Sequence, residues 1–336
     1  MALLRRFVSF SSPNIRLNRP NFVSLVKHVP QRSIMTEEAK KNDNFVIAAL
    51  YQFVNLSKSD CEELCTSLRK LMNDVDVRGN LRIATEGLNG TISGTREGVD
   101  TFNKYLRSFF LERELKLEPI YKESYHSAHV FRRATVKVRD QIVSFGPSRE
   151  FVDVEKEKGS YVLPKDFDEF VEKSKDLVLV DVRNDYEVEM GTFRGAINPK
   201  TDTFQDFVEF VDNTLPSEKP ETPIAMFCTG GVRCEKATAF LKRKGFKNVF
   251  HLKGGILQYL QDVPENKSSW KGECYVFDRR VSVDHDLHKG SYAKCFACRT
   301  PLSKEDMTKD SYVEGVSCAY CEVAKMRRRM YHKKAS

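Results

Sequence analysis

The spacing of apolar residues along the chain predicts two folded units of different kinds. In the first unit, residues 44–147, four segments have the composition of strands and two have apolar residues at helical spacing. The predicted elements are a strand at 45–53, a helix from Ser57 or Ser59 to about Met72, strands at 81–84 and 90–94, a helix at 96–109 and a strand at 116–121. The order βαββαβ is typical of a ferredoxin-like, acylphosphatase-like α+β domain whose helices cover one face of the sheet.

The second unit, residues 160–264, contains short runs that are apolar throughout. One run lies at 177–180 and ends in charge, and another lies at 223–227. Such runs are typical of buried parallel strands, whose carboxyl ends gather ligands. Apolar residues recur at helical spacing after Arg233. The pattern therefore predicts an α/β domain with a parallel sheet, and it places Cys228 at a strand-to-helix turn.

The turn around Cys228 is suited to holding a reactive thiolate. Gly230 and Gly231 allow backbone N–H groups to point inward, and the following helix adds its positive N-terminal end. Arg233 adds a fixed positive charge, so the thiolate of Cys228 is favoured over the thiol. The ring from Cys228 to Arg233 is one residue shorter than the Cys-x5-Arg loop of cysteine phosphatases, which favours a single extra sulfur atom, a persulfide, over phosphate. A buried structural cysteine is the alternative.

Three sequence blocks give the second unit a resemblance to a rhodanese domain, over roughly residues 160–262. The blocks are Asp181-Val-Arg183 with Tyr186-Glu187, Gly195-Ala-Ile-Asn198, and Cys228-Thr-Gly-Gly-Val-Arg233. The resemblance implies that Cys228 carries a transferable sulfur and that Asp181 and Arg183 brace its loop. The backbone that would cradle the sulfur, here called the cradle, consists of Thr229, Gly230, Gly231 and Val232. Cys234 is interpreted as a packing residue or, alternatively, as a resolving thiol for Cys228.

Two pairs of cysteines near the C-terminus have the spacing of a metal site. The pairs are Cys295 with Cys298 and Cys318 with Cys321, each with two residues between its members. This spacing is typical of a tetrahedral zinc site with four thiolate ligands, and such a site would fold a short, charged segment that lacks a core of its own. Two disulfides are the alternative, which an intracellular setting disfavours. We therefore predict a zinc-binding type of cysteine-rich region over residues 265–336.

The first 35 residues differ in composition from the rest of the chain. They contain six Lys or Arg residues, several serines and no Asp or Glu. This composition is typical of an organellar transit peptide, so we expect a mitochondrial protein; a plastid location, or a cytosolic form that starts at Met35, is the alternative. The formal net charge of +8 falls to +2 without this segment, so bulk charge does not argue for nucleic acid. No run approaches the length of a membrane span, and no membrane partner is expected.

Local features could still contact RNA or phosphate. Residues 85–94 hold three glycines and Asn89, which predicts either a plain turn or a loop that presents backbone N–H groups to a phosphate or a nucleobase. Basic and apolar residues alternate at 135–139, which predicts either a positive stripe on one strand face or a solvated face. The basic segment 325–334 is either an RNA contact or a solvated tail.

The order of these blocks, from about residue 44 to 325, resembles that of the tRNA uridine hydroxylase family. The blocks are Glu86–Gly94, Cys228–Lys236, Gly272–Asp278 and the cysteine-rich tail. The resemblance implies oxygen-dependent 5-hydroxylation of the wobble uridine of certain tRNAs, with molecular oxygen as co-substrate and Cys228 as the essential residue. The residues themselves show no iron-binding or flavin-binding motif. Two alternatives are sulfur transfer from thiosulfate or a sulfur-donor protein, and a non-enzymatic RNA-binding or sulfur-relay scaffold.

Overall fold

The computed structural model describes most of the chain after the proposed transit peptide. The described residues are 44–115, 119–145, 153–215 and 220–326. Residues 1–35 and most of the basic segment 325–334 therefore lie outside the described residues. Within the described part of the chain, no helix has the length and apolar character needed to span a membrane.

The N-terminal domain is a five-stranded sheet with two helices on one face. Its elements are β1 (Phe45–Phe53), α1 (Lys58–Asp74), β2 (Arg78–Ala84), β3 (Gly87–Thr95), α2 (Arg96–Leu111), β4 (Ile120–His126) and β5 (Ala134–Val138). The strand order is β4-β1-β3-β2-β5, antiparallel except where β5 runs parallel to β2. This arrangement confirms the predicted acylphosphatase-like fold and adds β5 at one edge.

Local sequence signals fix both helices of this domain. Ser57 caps α1 in a reciprocal capping box with Asp60, and the Thr95 side chain accepts a hydrogen bond from the N–H group of Gly98 at the start of α2. The apolar faces of both helices pack on the sheet in one core that includes Leu68 of α1. The opposite face of the sheet lacks helices, and it is this face that turns toward the rest of the protein.

Of the two alternatives for residues 85–94, the loop that presents N–H groups is wrong, and the turn lies at Thr85 and Glu86 rather than at Asn89-Gly90. Only Thr85 and Glu86 lie between β2 and β3, while Asn89 and Gly90 lie inside β3 and pair with both β1 and β2. A Cβ atom at Gly90 would come within 2.1 Å of the carbonyl oxygen of Asn80 on β2, so glycine here serves close strand packing rather than a turn. Pairing on both sides has overridden the local turn preference of the Asn-Gly dipeptide.

The central domain is a four-stranded parallel sheet with the order β6-β10-β9-β7, as the apolar runs predicted. Its elements are α3 (Val154–Glu157), β6 (Ser160–Val162), α4 (Pro164–Lys173), β7 (Val178–Asp181), α5 (Asp185–Val188), β8 (Gly191–Phe193), α6 (Phe207–Thr214), β9 (Ile224–Phe227), α7 (Val232–Arg243), β10 (Val249–Leu252) and α8 (Gly255–Asp262). At the start of this domain, α3 packs on α7, and Glu157 pairs with Arg243.

The C-terminal region first extends the central domain and then forms a separate small core. Strands β11 (Trp270–Gly272), β12 (Cys274–Tyr275), β13 (Ser282–Val283), β14 (Ala293–Lys294) and β15 (Pro301–Leu302) follow one another in short pairs. Strand β11 pairs with β8, and Trp270 and Cys274 lie in the core of the central domain. The last core is built from the four cysteines with Leu302.

Candidate active site

Cys228 lies at the carboxyl end of β9, directly before the turn that leads into α7. Gly231 is the N-cap of α7 and has a φ of +102°, a left-handed conformation that glycine adopts without strain. Its N–H group donates a hydrogen bond of 3.1 Å to the Cys228 sulfur. Cys228 is buried, yet it lines a cavity, so its sulfur faces a space that a substrate can enter.

The groups around the sulfur lower the pKa of the Cys228 thiol to about 6. Burial raises this pKa, but the Cys234 thiol, the charge of Arg233 and the N–H groups of Cys234 and Gly231 outweigh burial. Cys234 thus stabilises the Cys228 thiolate by hydrogen bonding, and burial together with the Cys228 charge raises its own pKa well above the ordinary value. At neutral pH, Cys228 is therefore a thiolate and Cys234 a neutral thiol donor.

Arg233 reaches the cradle as half of a buried ion pair. Its guanidinium donates two hydrogen bonds to Glu187, of 2.7 and 2.9 Å, and one of 3.1 Å to Thr229. Thr229 also donates to Glu187 at 3.2 Å. Burial raises the pKa of the Glu187 carboxyl, but Arg233 lowers it further, so Glu187 is ionised. Glu187 is the residue that fixes Arg233 in place, and the sequence interpretation did not assign it this role.

Asp181 and Arg183 form their own buried pair, with hydrogen bonds of 2.9 and 2.7 Å. Arg183 also donates to the carbonyl oxygen of Gly191, and its guanidinium lies 5.2 Å from the centre of the Trp270 ring. These contacts join β7 to β8 and β11, and none of them reaches the cradle. The structure therefore places Asp181 and Arg183 behind the site, while Glu187 makes the direct contact with the loop.

The N-terminus of α8 supports the cradle from the other side. The N–H groups of Ile256 and Leu257 donate to the carbonyl oxygens of Cys228 and Thr229, at 2.9 and 3.0 Å. A Cβ atom at Gly255 would lie 2.5 Å from the Cys228 carbonyl oxygen, so Gly255 packs directly against the backbone of the turn. Because the carbonyl groups are engaged by α8, the N–H groups of the turn remain directed toward the sulfur.

The cavity beside Cys228 has a volume of about 440 Å³ and is enclosed by three parts of the chain. The central domain contributes the cradle, and the N-terminal domain contributes the polar face of its sheet, including Asn89 and Arg82. The segment after β12 contributes Phe277 and Arg280. A rhodanese-type turn alone would form only the floor of this cavity, so the site belongs to the whole described assembly of domains.

The two domains are held together by side chains that surround Cys228. Lys122 of β4 donates a hydrogen bond of 2.7 Å to the carbonyl oxygen of Gly230, and Tyr51 of β1 donates one of 2.9 Å to Glu235 of α7. Lys236 of α7 pairs with Glu86 of the β2–β3 turn at 2.7 Å. No local sequence signal marks Tyr51 or Lys122 as site residues, because their roles arise only from domain packing.

Part of the predicted basic stripe lies near the cavity. Lys137 of β5 is paired in register with Arg82 of β2, and both side chains are exposed. Residues paired in register point to the same face of a sheet, and Arg82 lines the cavity, so positive charge extends from the site across the sheet. The ring of His129, which precedes this segment, bonds to Asp76 and to the backbone of Ser93.

The four C-terminal cysteines come together as their spacing predicted. The sulfur atoms of Cys295, Cys298, Cys318 and Cys321 all lie within 4.8 Å of one another. Neighbouring sulfurs are 3.6 to 3.9 Å apart, and the cysteines are free rather than disulfide-bonded. Four thiolates at about 2.3 Å from a tetrahedral zinc ion would be separated by roughly 3.8 Å. The cluster therefore fits a zinc ion, and it can bind a metal in this position.

Comparison with known sequence families agrees with this architecture. Residues 45–142 match the family described as UPF0176 acylphosphatase like domain, and residues 163–262 match the Rhodanese-like domain family. A rhodanese-like domain from Anabaena sp. shares 19% identity, with 33% of this chain and 78% of that chain covered and a TM-score of 0.28. A rhodanese-like domain protein from Staphylococcus aureus shares 24% identity, with 32% and 99% covered and a TM-score of 0.26.

The fold and the thiolate site define a rhodanese-domain protein with an N-terminal acylphosphatase-like domain. The order of the two domains is the architecture of the tRNA uridine hydroxylase family. This combination supports a role in tRNA modification or a sulfurtransferase-like role, and hence an enzyme of the transferase or oxidoreductase type.

Proposed function

We propose that this protein hydroxylates the wobble uridine of tRNA at C5, with molecular oxygen as co-substrate and Cys228 as the nucleophile. The observation that carries the proposal is the position of Cys228, which opens into a cavity that the N-terminal domain completes. Sulfur transfer to a small thiol requires only the turn of the central domain. A second domain over the nucleophile favours a larger substrate, which the domain architecture suggests is tRNA.

The cavity volume suits a nucleotide turned out of its stack. Pockets for ligands of this size are about 300 to 1,000 Å³, and the cavity of about 440 Å³ lies within that range. Enzymes that act on a base take it out of the stack into such a pocket. The Asn89 side chain lines the cavity and offers amide groups of the kind that read a base edge.

The thiolate supplies the chemistry that C5 of uridine requires. Addition of the Cys228 thiolate to C6 of the uracil ring places electron density on C5, the carbon that is hydroxylated. One atom of molecular oxygen is then added at C5, and the other is reduced to water by two electrons and two protons from a pair of external thiols, which become a disulfide. Loss of the C5 proton and expulsion of the Cys228 thiolate restore the ring. A thiolate with a pKa of about 6 suits both the attack and the departure.

The tRNA would approach across the exposed sheet face and the cavity rim. Arg82 and Lys137 offer positive charge for backbone phosphates. Phe277 lines the cavity and is 62% exposed, an arrangement suited to stacking against a base next to the wobble position. Replacing Phe277 with Ala should weaken tRNA binding, and it should leave the reactivity of the Cys228 thiolate unchanged.

The test of this function is mass spectrometry of tRNA nucleosides from cells with and without the gene. We expect 5-hydroxyuridine-type modification at the wobble position to disappear without the gene and to return with the wild-type protein. A gene that encodes Cys228→Ser should not restore it. Unchanged levels in the deletion strain would rule out the proposed reaction.

Rhodanese-type sulfur transfer is the second candidate, and the small size of the cradle favours it. The N–H group of Gly231 lies 3.1 Å from the sulfur, and a ring with four residues between Cys228 and Arg233 would suit one further sulfur atom. Incubation with thiosulfate should then add one sulfur to Cys228, which mass spectrometry of the Cys228 peptide detects, and cyanide should release thiocyanate. Absence of both products would exclude this candidate; a sulfur-donor protein would be the partner if the adduct forms.

We further propose that the protein functions in mitochondria and that its C-terminal cluster holds structural zinc. Residues 1–35 are rich in Arg and contain no Asp or Glu, which supports the location. The four sulfur atoms are spaced as the ligands of a tetrahedral zinc ion would be, which supports the metal. Fluorescent fusions of residues 1–35, and of the chain from Met35, test the location. Signal of the fusion of residues 1–35 in plastids or in the cytosol would refute the mitochondrial location.

A further inference from the structure

Lys122 of the N-terminal domain is an unusual residue in the wall of the active site. Its side chain is buried, it lines the cavity, and its ammonium group donates a hydrogen bond of 2.7 Å to the Gly230 carbonyl oxygen in the cradle. It pairs with no carboxylate among the described residues. A buried ammonium group is costly unless a negative charge compensates for it, so its location needs a reason.

The other charges near Cys228 are already matched. Arg233 has a countercharge of its own, because Glu187 binds it through two hydrogen bonds, although its charge also helps to lower the pKa of Cys228. Glu235 accepts hydrogen bonds from Tyr51 and Tyr161 and lies 3.7 Å from the ammonium group of Lys158. Arg280 is paired with Asp278, and Arg82 is exposed at the cavity rim. Among the buried charged groups described at the site, the Cys228 thiolate and the Lys122 ammonium then remain.

We propose that Lys122 is the counter-ion of the Cys228 thiolate, so that the N-terminal domain supplies part of the nucleophile's electrostatic environment. The inference rests on the proposed function only in taking Cys228 as the nucleophile, and it holds for hydroxylation and for sulfur transfer alike. Lys122 acts here as a positioning residue through its charge. The nucleophile reaches full strength only when both domains are docked.

The titration of the pair limits the pH range in which it exists. Burial lowers the pKa of Lys122 to about 8, while Cys228 and Glu235 counteract part of that effect. The thiol of Cys228 ionises at about pH 6, so thiolate and ammonium coexist between about pH 6 and 8. The titratable groups that face Lys122 are Cys228 and Glu235 of the central domain and Tyr51 of β1, and burial raises the pKa of Tyr51 so that it stays neutral.

The test is the pH dependence of Cys228 alkylation in the full-length protein. Iodoacetamide is the probe, and mass spectrometry of the Cys228 peptide separates this thiol from the others. We expect Lys122→Met to raise the midpoint by about one pH unit, because an opposite charge is lost, and to slow alkylation several-fold at pH 6.5. Lys122→Gln serves if the Met variant fails to fold, because its amide can still donate to Gly230.

Lys236→Met is the matched control. Lys236 is also a buried lysine at the domain boundary, but it bonds to Glu86, Gln141 and the backbone of Val143 rather than to the cradle. We expect its replacement to leave the midpoint unchanged, because the contact between Lys122 and Gly230 is kept. An unchanged midpoint in folded Lys122→Met or Lys122→Gln overturns the proposal. Equal rises in the Lys122 and Lys236 variants also overturn it, because they would point to docking alone. Since alkylation needs no tRNA, either result is independent of the hydroxylation test.

Discussion

Cys228 and Cys274 are both buried thiols in the core of the central domain, yet the pKa of one lies below 7 and that of the other lies above it. Burial raises the pKa of Cys274 to about 12, while the pKa of Cys228 is lowered to about 6. Cys274 has only a weak contact with the carbonyl oxygen of Tyr275, an acceptor that favours the protonated form. Cys228 faces N–H groups and a thiol donor instead. The comparison teaches that local donors, rather than burial, decide whether a core cysteine is a nucleophile.

The largest expected effect comes from removing the two thiols in turn. Cys228→Ser should reduce activity on tRNA by roughly a thousand-fold or more, since the essential nucleophile is lost. Cys274→Ala should retain activity, because that thiol is protonated and lies in the core. Rates measured with equal amounts of folded protein check both variants. Substantial activity in Cys228→Ser would end the distinction drawn between the two cysteines.

A second prediction concerns the ion pair that supports the cradle. Glu187→Gln leaves the buried Arg233 without its countercharge and should lower the free energy of unfolding by about 3 to 5 kcal/mol. The folded-state pKa of Glu187 is lowered, so its contribution is present above its unfolded pKa and is lost as pH falls through its folded pKa. Urea unfolding of both proteins at pH 7 and at pH 4 measures this. A stability loss that is equal at both pH values would contradict the ionic role.

The four-cysteine cluster is expected to differ from the Cys228 site in needing a metal. Cys298→Ser should release zinc and make residues beyond 290 sensitive to protease, because metal binding contributes the folding free energy of this segment. Alkylation of Cys228 should keep its midpoint. Metal analysis of the wild-type protein and limited proteolysis of both forms check the prediction, and a wild-type protein without bound metal would refute it.

The smallest effect is expected from the thiol donor next to Cys228. The pKa of Cys228 is about 6, so its alkylation rate should rise with pH around a midpoint near pH 6. Cys234→Ala removes one donor to the thiolate and should raise that midpoint by about one pH unit. Alkylation profiles measured by peptide mass spectrometry test this. A midpoint that stays near pH 6 would assign the low pKa to the backbone N–H groups and the charges of Arg233 and Lys122.

Sequence reasoning reached the parts of the site that are contiguous in the chain. The strand, glycine turn and helix around Cys228 were predicted from local patterns, and the two cysteine pairs were predicted from spacing alone. The folds of the N-terminal and central domains were also predicted correctly, because apolar periodicity and capping signals such as Ser57 act over a few residues. The predicted zinc identity, the leader and the tRNA substrate stay predictions.

What the sequence could not provide comes from contacts between distant segments. Lys122 and Tyr51 lie on unremarkable strands and enter the site only through domain docking. Glu187 was visible in a motif, but its bond to Arg233 depends on how α5 packs against the turn. The Asn89-Gly90 dipeptide suggested a turn at the wrong place. Its local preference for a turn is weaker than pairing with strands on both sides.

The contact between α8 and the turn bears on attempts to transfer this site to another protein. Gly254 and Gly255 both have positive φ values, and Gly255 has no room for a side chain beside the Cys228 carbonyl oxygen. A graft of the short Cys-to-Arg segment alone would therefore leave its peptide groups free to rotate. Protein engineers who want the acidic thiol must also graft the diglycine and the first turn of α8, although these come later in the chain and carry no reactive group.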